Sequence, residues 1–187
     1  MIYKDIILNY VIGRCMDNQL PLGEREYIRM KVGNVLMVCL EDSSALPIQK
    51  LVESLVMVGP ESLDIMREIL SEITIRRMQI RNDQQLVYRG FHSSMDSLGA
   101  RFKTSSSMNS FFEIRPVHIL NALKRNGVTE EDAKTQCLQI LTDTRELMSE
   151  LHSKLDLLDR MEQYLLDWTW AVLYLSSRQQ TGWTNMQ

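Results

Sequence analysis

Glycine and proline are scarce in this chain, eight and four among 187 residues, and aromatic side chains make up only 7%. A fold of many short strands needs frequent turn residues and β-branched or aromatic side chains. Their shortage, beside twelve methionines and abundant leucine and isoleucine, predicts helices, in which long unbranched side chains lose little rotamer freedom. Cysteine is also sparse. Cys15, Cys39 and Cys137 are odd in number and sit in apolar helical patterns, which excludes a disulfide framework and predicts buried thiols in a reducing compartment.

No apolar run approaches the ~18 residues that a membrane span needs, so no membrane partner is expected. Lys4 and Asp5 precede a short apolar run unlike a secretory leader, and no Asn-x-Ser/Thr acceptor occurs. The expected location is intracellular, cytoplasmic or nuclear.

Chemical signatures are missing as well. A phosphate cradle needs a glycine-rich turn with a lysine at a helix start, and neither Gly-x-x-x-x-Gly-Lys nor Gly-x-Gly-x-x-Gly is present. A zinc site needs clustered ligands, whereas His92, His118, His152 and the three cysteines are far apart in sequence. His92, Ser93, Ser94 and Asp96 have the residue types of a hydrolytic relay, but neighbours along one helix point in different directions. Paired carboxylates such as Glu146 and Glu150 read as the solvated face of a helix. The sequence therefore predicts no catalytic residue, no metal and no cofactor.

What is present is a long apolar seam. Alternate steps of three and four residues from Cys137 reach Ile140, Thr144, Leu147, Leu151, Lys154, Leu158, Met161, Leu165, Trp168, Val172 and Leu175, a heptad a/d register with only Thr144 and Lys154 polar. Thr129 and the acids after it suit a helix start, since a hydroxyl can accept from a first-turn amide and negative charge favours that end of the dipole. A helix from Thr129 to about Ser176 would be roughly 70 Å long at 1.5 Å per residue. It is expected either to break near His152-Ser153-Lys154 or to need a covering partner, as one half of a coiled coil or as a helix of a bundle.

Leu141, Met148 and Leu155 form a flanking stripe, and Tyr164 to Leu175 is apolar nearly all round, which marks a helix surrounded by others. Leu151, Leu158, Met161, Leu165, Trp168 and Trp170 are the expected partner-binding residues. Trp168 and Trp170 stand about 200° apart at 3.6 residues per turn. Trp168 is therefore assigned to the core and Trp170 to a rim or partner contact.

Upstream, apolar spacing predicts a first helix carrying Ile2, Ile6, Ile7, Tyr10 and Val11. A second starts from Gly23, with Tyr27, Met30, Lys31, Asn34, Met37 and Val38 on one face. A third starts at Pro47 with Leu51, Leu55, Val56 and Val58 inward, and a fourth runs from Pro60 to about Asn82 with Leu63, Met66, Ile69, Leu70 and Ile73. Residues 84–102 read as a broken or marginal helix, because Gly90 and Gly99 interrupt them. Phe111 to Ile114 read as an extended anchor, and a fifth helix from Pro116 ends at Asn126-Gly127. No fixed period supports a repeat protein.

The Ser/Thr-rich stretch 103–110 is the expected linker between an N-terminal helical unit, 1–102, and a C-terminal hairpin with the long helix, 111–187. Basic residues just before Thr104 and Ser105 also fit a phosphorylation switch.

The net charge of −3 conceals an asymmetry: 76–103 holds six basic and two acidic residues, and 130–167 holds ten acidic and four basic. Arg76, Arg77, Arg81, Arg89, Arg101 and Lys103, interleaved with Tyr88, Phe91 and Phe102, form a basic stretch suited to an acidic protein or to nucleic acid. The fold class read from all this is an all-α helical bundle with short hairpins and a long C-terminal helix. The function is that of a non-enzymatic adaptor or complex subunit, as a homodimer or a hetero-complex. The alternative is a helical nucleic-acid-binding protein.

Overall fold

A computed structural model describes residues 22–58, 62–101 and 108–184. The fold is an all-α bundle of α1 (Leu22–Glu41), α2 (Leu46–Val58), α3 (Leu63–Ser97), α4 (Pro116–Arg125) and α5 (Glu131–Thr184), with a 3-10 turn at Met108–Glu113. No strand occurs among the described residues. The predicted helix over residues 1–17, the break at Gly59-Pro60 and most of the 103–110 linker, including its proposed phosphorylation sites, lie outside them.

The chain forms two compact units, one of residues 1–77 with 154–187 and the other of residues 78–153. Their limits fall elsewhere than at 103–110, and both α3 and α5 contribute to each.

In the first unit α1 and α2 pack as a hairpin across a four-residue connection. Ser43 adopts a left-handed φ of 53° and the Ser44 amide donates to the Cys39 carbonyl at 3.0 Å, closing the end of α1 in the manner usually left to glycine. The buried face of α1 is Val32, Val35, Leu36 and Cys39, not the predicted stripe, of which Met30 and Met37 are exposed. The predicted stripe needed Lys31 and Asn34 inside, whereas the i, i+3, i+4, i+7 set from Val32 is wholly apolar. Ile48, Leu51, Val52 and Leu55 of α2 and Met66, Ile69 and Ile73 of α3 complete the inward faces, with Leu157, Leu158, Met161, Leu165 and Val172 of α5.

In the second unit the core gathers Phe91, Met95, Phe111, Ile114, Ile119, Leu123, Cys137, Leu141 and Met148. α3 runs unbroken through Gly90 to Ser97, well past the predicted end near Asn82. A glycine on an exposed helical face costs only about 1 kcal/mol, which the burial of Phe91 and Met95 outweighs. Gly99 then closes α3 with φ 83°: its own amide donates to Asp96 at 3.1 Å and the next, Ala100, to Met95 at 2.8 Å. Gly127 closes α4 in the same way, with φ 72° and the Val128 amide on the Leu123 carbonyl at 3.0 Å. The two turns are joined, since Asn126 Nδ2 donates to the Gly99 carbonyl at 2.7 Å.

The same substitution should therefore act with opposite sign at two glycines. Gly90→Ala meets nothing within 4 Å and should add up to about 1 kcal/mol of stability. Gly99→Ala would place its Cβ 2.7 Å from Val128 Cγ2 on a left-handed backbone, and should remove at least about 1–2 kcal/mol. Urea titration of both variants checks this; equal effects would overturn it.

The 3-10 turn replaces the extended anchor predicted at Phe111. Phe111 and Ile114 are buried and Phe112 and Glu113 exposed, because a three-residue turn returns Ile114 to the side of Phe111. The Ile114 carbonyl accepts from the Arg145 guanidinium of α5. Pro116 opens α4, whose cap is held by His118 Nδ1 accepting from the Arg115 amide at 3.1 Å.

Candidate association surface

α5 is continuous from Glu131 to Thr184, without the break expected near His152, and continues past Gly182. Of its a positions Cys137, Leu151, Leu158, Leu165 and Val172 are buried and Thr144 is half-buried. The d positions are not uniformly so: Met161 is buried, while Leu147 is 43% exposed and Leu175 59% exposed. In the second unit Leu141 and Met148 of the flanking stripe are buried and Ile140 packs half-buried against the same core, whereas Leu147 of the heptad turns outward. Each unit thus draws on a different strip beside the a series.

In the first unit, polar contacts hold the rotation of α5. Arg77 binds Asp159 at 2.8 Å and reaches Glu162 through Nη1 at 3.2 Å. The hydrogen bond to Glu162 is the main reason the guanidinium is held above its usual pKa, against an opposing effect of partial burial. Tyr164 Oη donates to Glu53 Oε1 at 2.9 Å, and burial first, then that carboxylate, raises the phenol above its ordinary range. Thr169 Oγ1 donates to the Leu165 carbonyl at 2.8 Å and lies 3.6 Å from Met66 Sδ.

With that rotation fixed, Leu158, Met161 and Leu165 are fully enclosed by the chain itself and Leu151 nearly so. The expected centre of the association surface is therefore core, closed to a partner in this fold. Trp168 is half-buried, its ring centroid 6.3 Å from that of Tyr164. On the opposite side of the helix, Leu166 is 37%, Trp170 71%, Leu173 47% and Tyr174 55% exposed. These four follow i, i+4, i+7, i+8 and form one stripe. Arg178 lies over the Tyr174 ring, its guanidinium carbon 5.1 Å from the centroid, and Gln163 Nε2 donates to Asp167 Oδ1 at 2.9 Å on the same flank.

Of this stripe only Trp170 was named from sequence. The signal for the rest was the all-round apolar character of 164–175, read as cover on every side. The structure leaves the side of these four residues open, and Leu175 as well.

Two of the basic residues are engaged or enclosed by the chain. Arg77 is held by two acids, and Arg76 is half-buried with Nη2 only 3.7 Å from where a Cβ on Gly33 would stand. Arg81 and Arg89 are exposed, Arg101 stands 4.0 Å from Asp96, and Lys103 lies outside the described residues. His92 meets the rings of Tyr88 and Phe91 at 4.6 and 5.3 Å, and burial lowers its pKa while Asp96 opposes this. Among the described residues no group of three or more His, Cys, Asp or Glu side chains is placed to hold a metal ion. A cleft of about 320 Å³ in the second unit is lined by Leu120, Asn121, Lys124, Val128, Thr129 and Lys134, and Lys134 is paired with Glu131 at 2.6 Å. No described helix is long and apolar enough to cross a membrane.

No family of known proteins matches this chain, and neither does any curated protein or solved structure.

Proposed function

We propose that this chain is a non-enzymatic helical adaptor or complex subunit that binds protein through the outward stripe Leu166, Trp170, Leu173 and Tyr174 of α5. The observation that carries this reading is the exposure of Trp170 within a contiguous apolar face. Tryptophan and tyrosine dominate binding hot spots because they bury large area at little conformational cost. Taking about 150–250 Å² for a whole aromatic side chain, the four residues offer roughly 400–500 Å², the size of the largest patch on a typical monomer, which is often functional.

Nucleic-acid binding through 76–103 has less support, because Arg77 is held by carboxylates of the same chain and Arg76 is half-buried. Phosphates would have to displace those acids before meeting Arg77.

Trp170→Ala should weaken partner binding by about 2 kcal/mol or more, roughly thirtyfold, with thermal stability almost unchanged. Quantitative co-purification from native lysate, wild type against variant with melting curves alongside, provides the measurement. Identical co-purifying proteins in identical amounts would defeat the proposal.

A further inference from the structure

The stripe is complementary to itself. Asp167 and Arg178 are eleven residues apart, which brings them to within about 20° of each other around the helix, on one flank of the stripe and at opposite ends of its centre. A two-fold axis between residues 171 and 172 would set Trp170 against Leu173 of a second copy and Leu166 against Ser177. On the flank it would set Asp167 between Tyr174 and Arg178 of the other copy, twice by symmetry. A parallel arrangement, with its two-fold along the helices, would instead carry the two flanks to opposite edges of the pair, where neither Asp167 nor Arg178 meets its opposite charge, so charge favours the antiparallel one.

We propose that the occupant of this face is a second copy of the chain, docked antiparallel through Leu166, Trp170, Leu173 and Tyr174 with reciprocal Asp167–Arg178 pairs. This rests on the association role assigned to the stripe and adds what covers it. Both copies together would bury roughly 800–1,000 Å², below the standard interface size, so the dimer is weak and reversible, with a dissociation constant of about 1–100 µM. Arg178 stacks on Tyr174 in the single chain, which presets the guanidinium on the flank that Asp167 of the other copy meets.

The test is sedimentation equilibrium of the full chain from about 1 µM to about 1 mM, a range spanning that constant. The wild type is expected to pass from monomer to dimer. Trp170→Ala should sediment as a monomer throughout. Asp167→Arg and Arg178→Asp should each raise the dissociation constant roughly tenfold, since symmetry counts every lost pair twice and adds repulsion. The double variant, which restores opposite charges in exchanged places, should return to within about twofold of wild type. All three substituted side chains, Asp167, Trp170 and Arg178, are exposed, so unchanged melting curves verify that the variants fold.

A monomeric wild type at every concentration overturns the proposal. So does a double variant as weak as either single one, which would place the dimer on another surface. Slow hydroxyl-radical oxidation of Trp170 in a dilute monomer would overturn it too, by showing that the chain covers its own stripe. A monomer that still captures a different protein through Trp170 removes the second copy while leaving the adaptor role; a monomer without any Trp170-dependent partner removes both.

Discussion

Leu158→Asp should abolish the folding of the first unit. Leu158 is fully buried on the inward face of α5, between Met161 and Leu165 one and two turns on and Leu151 two turns back. Removing a buried leucine side chain costs about 2–5 kcal/mol. The carboxylate that replaces it must be desolvated or must take up a proton, which adds several kcal/mol more. The sum is comparable to the whole stability of an ordinary domain, about 5–15 kcal/mol. Leu166→Asp, on the outward face of the same helix, should stay within about 0.5 kcal/mol of wild type. Urea unfolding followed by circular dichroism separates the two. A Leu158→Asp protein with an undiminished midpoint would mean that the inward face of α5 is closed by another molecule.

Phe111→Ala should have the second largest effect, confined to the unit of residues 78–153. Phe111 is fully buried in the 3-10 turn and meets Phe91 edge-on at 5.1 Å, Tyr88 at 6.4 Å and Phe112 at 5.6 Å between ring centroids. Truncating a buried phenylalanine costs about 3–5 kcal/mol, and the paired rings contribute beyond their area. Phe112→Ala, one position on but exposed, should cost less than about 1 kcal/mol. Amide hydrogen exchange resolved along the chain is the suitable measurement: protection at Met95, Leu123 and Leu141 should collapse in the first variant and persist in the second. Equal protection in both would show that the turn does not anchor this core.

Much of the architecture was legible in sequence because it follows from local pattern. The a series from Cys137 to Val172 marks the inward line of α5, and Asn126-Gly127 marks the end of α4 through a left-handed closure that glycine permits. What escaped depends on neighbours. Leu147 on the seam and Met148 on the stripe beside it both read as inward, and only the helices standing beside α5 decide that Met148 is buried and Leu147 is not. The same applies to Met37 and Val35 of α1, and to Gly90, whose cost to α3 is met by packing of residues either side of it. The stripe around Trp170 escaped for a related reason: periodicity reports how many sides of a helix are apolar but not how many of them the chain itself covers.

The division of the chain has a consequence for the order in which it is made. Residues 78–153 are contiguous, so this unit has all its parts once Ser153 has emerged from the ribosome. The other unit is interrupted: α1, α2 and the start of α3 emerge early with Leu36, Leu51 and Ile69 lacking the strip of α5 that they share a core with, and only the later arrival of Leu158, Leu165 and Val172 supplies it. Contacts so distant along the chain are slow to form, and waiting apolar surface is prone to aggregation. Synthesis therefore sets a sequence opposite to position, in which the middle of the polypeptide can be finished before its beginning.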